Sequence, residues 1–219
     1  MAYVWNEKTG KFEDAETGAP LAESALRKIV DDFALALLLL FTTRARRVLT
    51  TLVEIETNEA DFFEALRDWN FELRQQIQAG NLAAAALAFG GLKNASPSNL
   101  EIAENFADQQ MRFFENFAAA VFSGALILNG IFAARSGMYG SAVYSSFENA
   151  RRERERQRGM NEERRILGAA DHCPICLSEN AKGWVAIGTL RAIGDSECRS
   201  RCRCWFSYRK TENSSIVVL

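Results

Sequence analysis

From Ser24 onward the apolar positions Leu26, Val30, Phe33, Leu37 and Leu40 recur at steps of four and three. That spacing puts them on one face of a helix. The pattern predicts a helix that continues through "TTRARRVLTTLVEIE". Within it lies the strongest apolar run of the chain, "FALALLLLF" over residues 33–41, closed by Arg44, Arg46 and Arg47. A membrane-spanning helix needs roughly 20 apolar residues, so this run predicts a buried helix segment. Asn58 with Asp61 has the form of a capping box and opens a second helix, "EADFFEALRDWNFELRQQIQ". Gly80 is expected to end it, and Asn81 to start a short alanine-rich helix, "LAAAALAF", stopped by Gly90 and Gly91.

"NASPSNLE" is the clearest break in this pattern. Pro97 disfavours helix at the residue before it, and Ser98 with Glu101 reads as another capping box. Beyond it Ile102, Phe106, Phe113, Phe117 and Val121 share a helical stripe, expected to be core or helix–helix interface. Gly124, Gly130, Gly137 and Gly140 follow, small enough for close helix packing or a kink. No repeat of fixed period appears.

The two ends depart from this helical pattern. Residues 1–23 are polar, with Thr-Gly pairs at 9–10 and 17–18 and a proline at 20. They predict an extended arm with turns and a short hairpin. Tyr3 and Trp5 give the arm an aromatic pair, to dock on another subunit or to cover its own domain. The start has no charged segment followed by an apolar run, so no secretory signal is expected. Downstream, "ARRERERQRGMNEERR" alternates arginine with glutamate and predicts a solvated helix face laced with ion pairs. Contact with nucleic acid is the alternative. The expected organisation is an arm (1–23), a helical domain (24–165), a cysteine-rich lobe (166–210) and a tail (211–219). The fold class is mainly α, an elongated helical bundle with a small C-terminal zinc-knuckle lobe containing a short hairpin.

Composition sharpens this picture in two ways. With 48% hydrophobic and 11% aromatic residues among 219, the chain can bury a real core. Its net charge of -2 creates no global field towards nucleic acid, although the first 33 residues lean acidic and the last third basic.

All five cysteines fall between 173 and 204. Cys173 and Cys176 form a CPIC knuckle whose spacing lets both thiols bind one ion. Zinc takes four ligands in a tetrahedron, and an all-thiolate set leaves no open position, so the site is structural. The expected ligands of one zinc per chain are Cys173, Cys176, Cys198 and Cys202. Cys204 is the alternative to Cys202, because the two point to the same face of an extended strand. His172, the sole histidine, could replace one thiol, or be a surface or hydrogen-bonded residue. Lys182, Arg191, Arg199, Arg201 and Arg203 offset the negative charge of a thiolate site. A dithiol redox pair is the chemical rival, but no thioredoxin-like βαβ pattern precedes the knuckle.

The segment "RRILGAADHCPIC…KGW…IGTL…IG…C…CRC", over about 164–208, resembles the C-terminal signature of the phage minor head protein, or head morphogenesis, family typified by the F protein of phage Mu. The resemblance covers under half of the chain. Ala186 and Arg191 stand where that family often has proline. The resemblance implies a virion protein present in few copies near the portal or inside the head, made in the host cytoplasm and needed for head assembly or DNA packaging. Its expected partners are the portal, major capsid or scaffold proteins, with packaged DNA as a further one, in an oligomeric setting and without a membrane.

Three classes of function follow. An assembly component would use the helices to join neighbours and the knot, with Trp184 packed over it, to stiffen the lobe. A zinc-stabilised nucleic-acid-binding module would set Arg199, Arg201, Arg203 and the "RRERERQR" helix on phosphates. An enzyme is not expected. One histidine beside a ligand does not supply acid–base chemistry, and there is no Walker loop, nucleophile elbow or HExxH.

Overall fold

The computed structural model describes residues 2–56 and 58–211. The protein is mainly helical with a small C-terminal strand region. A hairpin, β1 (Tyr3–Asn6) and β2 (Lys11–Asp14), precedes α1 (Glu23–Val53), α2 (Glu59–Ala88), α3 (Pro97–Phe122), α4 (Gly130–Ser141) and α5 (Val143–Gln157). There follow β3 (Glu162–Ile166), α6 (Pro174–Ala181), β4 (Val185–Ala186) and β5 (Trp205–Arg209). Residues 212–219, most of the expected tail, lie outside the described residues. No helix among the described residues is long and apolar enough to cross a membrane.

The predicted hairpin is present at the N-terminus, paired antiparallel from Tyr3 opposite Asp14 to Asn6 opposite Lys11. Trp5 packs on Phe12 and against Gly90 at the end of α2, so its ring covers its own domain. Tyr3 stays exposed.

Helix α1 buries Leu26, Val30, Ala34, Leu37, Phe41, Ala45 and Val48, at steps of four, four and three, repeated. The predicted stripe is thus right at Leu26, Val30 and Leu37. Phe33 and Leu40 are on the flank, more than a third exposed, and Leu35 and Leu39 point outward at 53% and 57%. The run 33–41 is therefore half-buried rather than buried. An all-apolar stretch gives no polar contrast to mark the inward face.

Helix α2 does not stop at Gly80. It runs through to Ala88 because Gly80 serves close packing: a methyl there would sit 2.9 Å from Leu37 Cδ1 and 3.3 Å from Val143 Cγ1. Asn81 is buried rather than capping. It donates to the Ile77 carbonyl at 2.8 Å and accepts from the Ser146 hydroxyl at 2.7 Å. Asn58 caps α2 as expected, accepting from the Asp61 amide. Helix α3 is capped by Ser96, which accepts from the Asn99 amide at 3.2 Å, with Pro97 in the first turn. The cap predicted at Ser98 is thus two residues late, and proline at the first helical position explains why.

The aromatic core sits between α2, α3 and α4. Trp69 packs on Phe114, Phe117 and Phe132 with ring centroids 5.1–5.7 Å away, and its indole N–H donates to Ser136 at 3.1 Å. Phe114, not the predicted Phe113, is the inward residue; Phe113 is 55% exposed. Gly140 lets α4 press onto α1, since any side chain there would collide with the backbone of Leu37 and Leu38.

The arginine–glutamate stretch is the largest departure from expectation. Glu148, Arg151, Arg154 and Glu155 of α5 are buried rather than solvated. Glu148 accepts from Arg27 of α1 at 3.0 Å and from Arg151 at 2.9 Å. Arg151 also pairs with Glu23 at 3.1 Å and donates to the Phe206 carbonyl at 3.1 Å. Arg154 donates to the Ala88 carbonyl at 2.9 Å, satisfying the open end of α2. Arg156, Gln157 and Arg158 at the helix end are exposed. Residues 162–166, expected at the end of a helical region, are the central strand of a three-stranded antiparallel sheet of order β4-β3-β5. That sheet takes the place of the predicted local hairpin.

Candidate metal centre

Three pieces of chain bring the cysteines together. Cys173 is the residue before α6 and Cys176 lies in its first turn, with Pro174 at the start of the helix. A proline there lacks an N–H that would go unpaired anyway, and its fixed φ turns the chain so that both thiols face one side. Cys198 opens a single 3-10 turn, Arg199–Arg201, and Cys202 closes it. Cys204 immediately precedes β5. The loop 191–196 that leads to Cys198 rests on α5: Asn149 exchanges two hydrogen bonds with Ile193, both 3.0 Å.

All five thiols are free, with Cys176, Cys202 and Cys204 buried and Cys173 and Cys198 half-buried. Cys173 and Cys198 sulfurs are 3.1 Å apart, Cys176 and Cys198 3.4 Å, and Cys176 and Cys202 3.8 Å. Sulfurs sharing one tetrahedral ion at about 2.3 Å each lie about 3.8 Å from one another, so the donor set could hold a metal ion. The sulfurs within 4.8 Å of one another form two sets, Cys173 with Cys176 and Cys198, and Cys176 with Cys202 and Cys204. All five predicted residues are therefore gathered, and both Cys202 and Cys204 lie beside Cys176.

The protons on these thiols are unevenly held. Burial disfavours a thiolate at Cys173, but hydrogen bonds from Cys198 and from the Cys176 backbone outweigh it and bring Cys173 down to about 6. The hydrogen bond from the Cys204 thiol lowers Cys202 to about 5, against the cost of burial. Burial pushes Cys176 up to about 12. Cys204, which donates to Cys202 and is itself buried, is also pushed up. The cluster thus offers thiolate character at neutral pH, the form that binds metals.

The surroundings are charged, and the sequence pattern did not single them out. Arg165 of β3 is fully buried, places Nη1 3.6 Å from Cys176 Sγ and donates to the Arg191 carbonyl. Glu163, also fully buried, accepts from Arg152 at 2.7 Å and from the amides of Gly188 and Leu190 at 3.1 and 3.0 Å. Glu179 of α6 accepts from the Arg191 amide at 2.9 Å and from Lys182 at 2.6 Å. These carboxylates shape the loop that carries Cys198. Buried and half-buried positions alternate in β3, but its sequence "EERRI" carried no apolar alternation to mark them.

Of the expected basic residues, Lys182 pairs with Glu179 and Arg203 with Asp31 at 3.2 Å, while Arg191, Arg199 and Arg201 are exposed. Trp184 lies between the guanidinium groups of Arg164 and Arg209, 5.2 and 4.5 Å from its ring. That places it at the sheet rather than over the knot. His172 is held by its Nε2 to the Gly168 carbonyl at 2.8 Å, with Nδ1 3.6 Å from Cys204 Sγ. No family model, curated protein or solved structure matches this chain.

Proposed function

We propose that this protein is a structural component of a phage head, a minor head or portal-associated protein acting in head assembly or DNA packaging. In this reading its C-terminal lobe is stiffened by zinc. One observation carries it: five unbridged sulfurs from three pieces of chain converge in the segment that bears the head-protein resemblance. Zinc suits soft thiolate donors in tetrahedral array and has no redox chemistry to expose. Cys173, Cys176 and Cys198, with Cys202 or Cys204, would hold it and tie α6 to the turn before β5. When bound, the ion neutralises thiolate charge and crosslinks a lobe with little apolar core. Exposed apolar residues on α1 (Ile29, Leu35, Leu39) support a role in joining neighbours. The reading assigns no catalysis.

The test is metal analysis of the purified chain together with co-purification against portal, major capsid and scaffold proteins. Bound zinc with capture of a head protein is the expected result; absence of both overturns the reading. A nucleic-acid-binding module is supported by the exposed Arg199 and Arg201. The buried ion pairs of Arg151 and Arg154 weigh against using the "RRERERQR" helix on phosphates. DNA affinity that falls steeply with salt would favour this second reading.

A further inference from the structure

One tetrahedral ion uses four donors, and this lobe gathers five thiols. We propose that it binds two metal ions sharing the Cys176 thiolate: a buried site of Cys176, Cys202 and Cys204, and a more open site of Cys173, Cys176 and Cys198. The proposal rests on the metal reading above and extends it.

The sulfur positions carry the first step. The mutually close thiols form two sets of three with Cys176 in common. Around a single ion, four sulfurs would all lie about 3.8 Å apart and form one set. A thiolate has lone pairs enough to bridge two ions, and Cys176 is fully buried between the two sets.

His172 stands beside the buried set without joining it: its Nδ1 is 3.6 Å from Cys204 Sγ and its Nε2 2.8 Å from the Gly168 carbonyl, but it is a member of neither mutually close set.

Charge completes the argument. Four thiolates with one dication leave about -2 and a fifth buried thiol unused, whereas five thiolates with two dications leave about -1. Arg165 Nη1, 3.6 Å from Cys176 Sγ, sets a compensating charge beside the bridging sulfur. In the open set Cys173 and Cys198 are half-buried. Ser196 Oγ sits 3.7 Å from Cys176 Sγ and 3.5 Å from Cys198 Sγ. An ion held in that half-buried set is the more readily removed.

The experiment is native mass spectrometry of the full chain titrated with zinc, paired with cadmium-113 NMR of the cadmium-loaded wild type. Two ions per chain and two mutually coupled cadmium signals are expected, with the first ion to leave under a weak chelator coming from the open site. C173S should then keep one ion. A single ion at saturation, with one cadmium signal, overturns the two-ion proposal and leaves the zinc reading standing. No bound ion overturns both. The cadmium spectrum is read on the wild type, so a variant that fails to fold does not blunt the test.

Discussion

The helical body and the C-terminal lobe are held together by different physics. In the body, Trp69, Phe114, Phe117 and Phe132 meet ring to ring, with small residues such as Ala84 and Gly140 where helices close on one another. Among the described residues, the body's buried charges are confined to α5, where Glu148, Arg151, Arg154 and Glu155 lie. In the lobe the buried apolar side chains are few, Leu190, Ile193 and Phe206. Its shape depends instead on buried Glu163, Arg165 and Glu179 and on the thiols. A region too small to enclose a large apolar core gains order from directional bonds and metal coordination. Helix α5 belongs to both regions. Phe147 and Ala150 are buried in the core, while Asn149, Arg151 and Arg152 bond the lobe.

The strongest way to separate the two is to strip the metal. Structural zinc sites are worth an apparent 10–16 kcal/mol in small peptides at neutral pH. Chelation should therefore abolish amide-exchange protection in β3 and β5 while α2 and α3 stay protected, read by hydrogen exchange. Uniform loss across both regions would mean that the body has no stability of its own. Next in size, Trp69→Ala should cost about 3–5 kcal/mol and lower the melting temperature by roughly 10 °C, leaving metal stoichiometry unchanged in the folded fraction. Glu163→Ala should act the other way round. It strands Arg152 and two loop amides at a cost of about 3 kcal/mol, and should loosen metal binding far more than it disturbs the aromatic core, as seen by near-ultraviolet circular dichroism.

The smallest effect concerns Glu23, where burial opposes ionisation but Arg151, Arg154 and Arg27 outweigh it and hold the carboxyl below its usual value. A depressed carboxyl stabilises the fold above its unfolded-state value, and that contribution is lost as pH falls through the folded one. Glu23→Gln should thus cost about 1 kcal/mol or less at pH 7. The gap to the wild type should close in acid, as measured by urea denaturation at pH 7 and pH 3.

The sequence made the helices legible wherever polar residues framed them, and less so where they did not. The periods of α1 and α3 were visible, yet the inward face was displaced by one residue at Phe113 and Phe114 because adjacent phenylalanines look alike to a periodicity. Gly80 misled because a glycine that stops a helix and one that admits a neighbouring leucine are the same letter. The thiol cluster was legible from the CPIC knuckle and the later cysteines. Its setting was not, since β3 reads "EERRI" and hides an alternating buried pair, Glu163 and Arg165, inside a run of charge. The buried face of α5 was hidden for the same reason: an arginine's role depends on the carboxylate it meets, and Glu23 and Glu148 lie far apart along the chain.

The Arg27–Glu148 pair joins residues 121 positions apart, and that separation bears on synthesis. The first long helix leaves the ribosome before α4 and α5, so its Leu37 and Phe41 face meets solvent or a chaperone until those helices have followed. Closure of that face therefore waits on α4 and α5, and slowing elongation between α1 and α5 should lengthen the interval in which the nascent chain is vulnerable to aggregation.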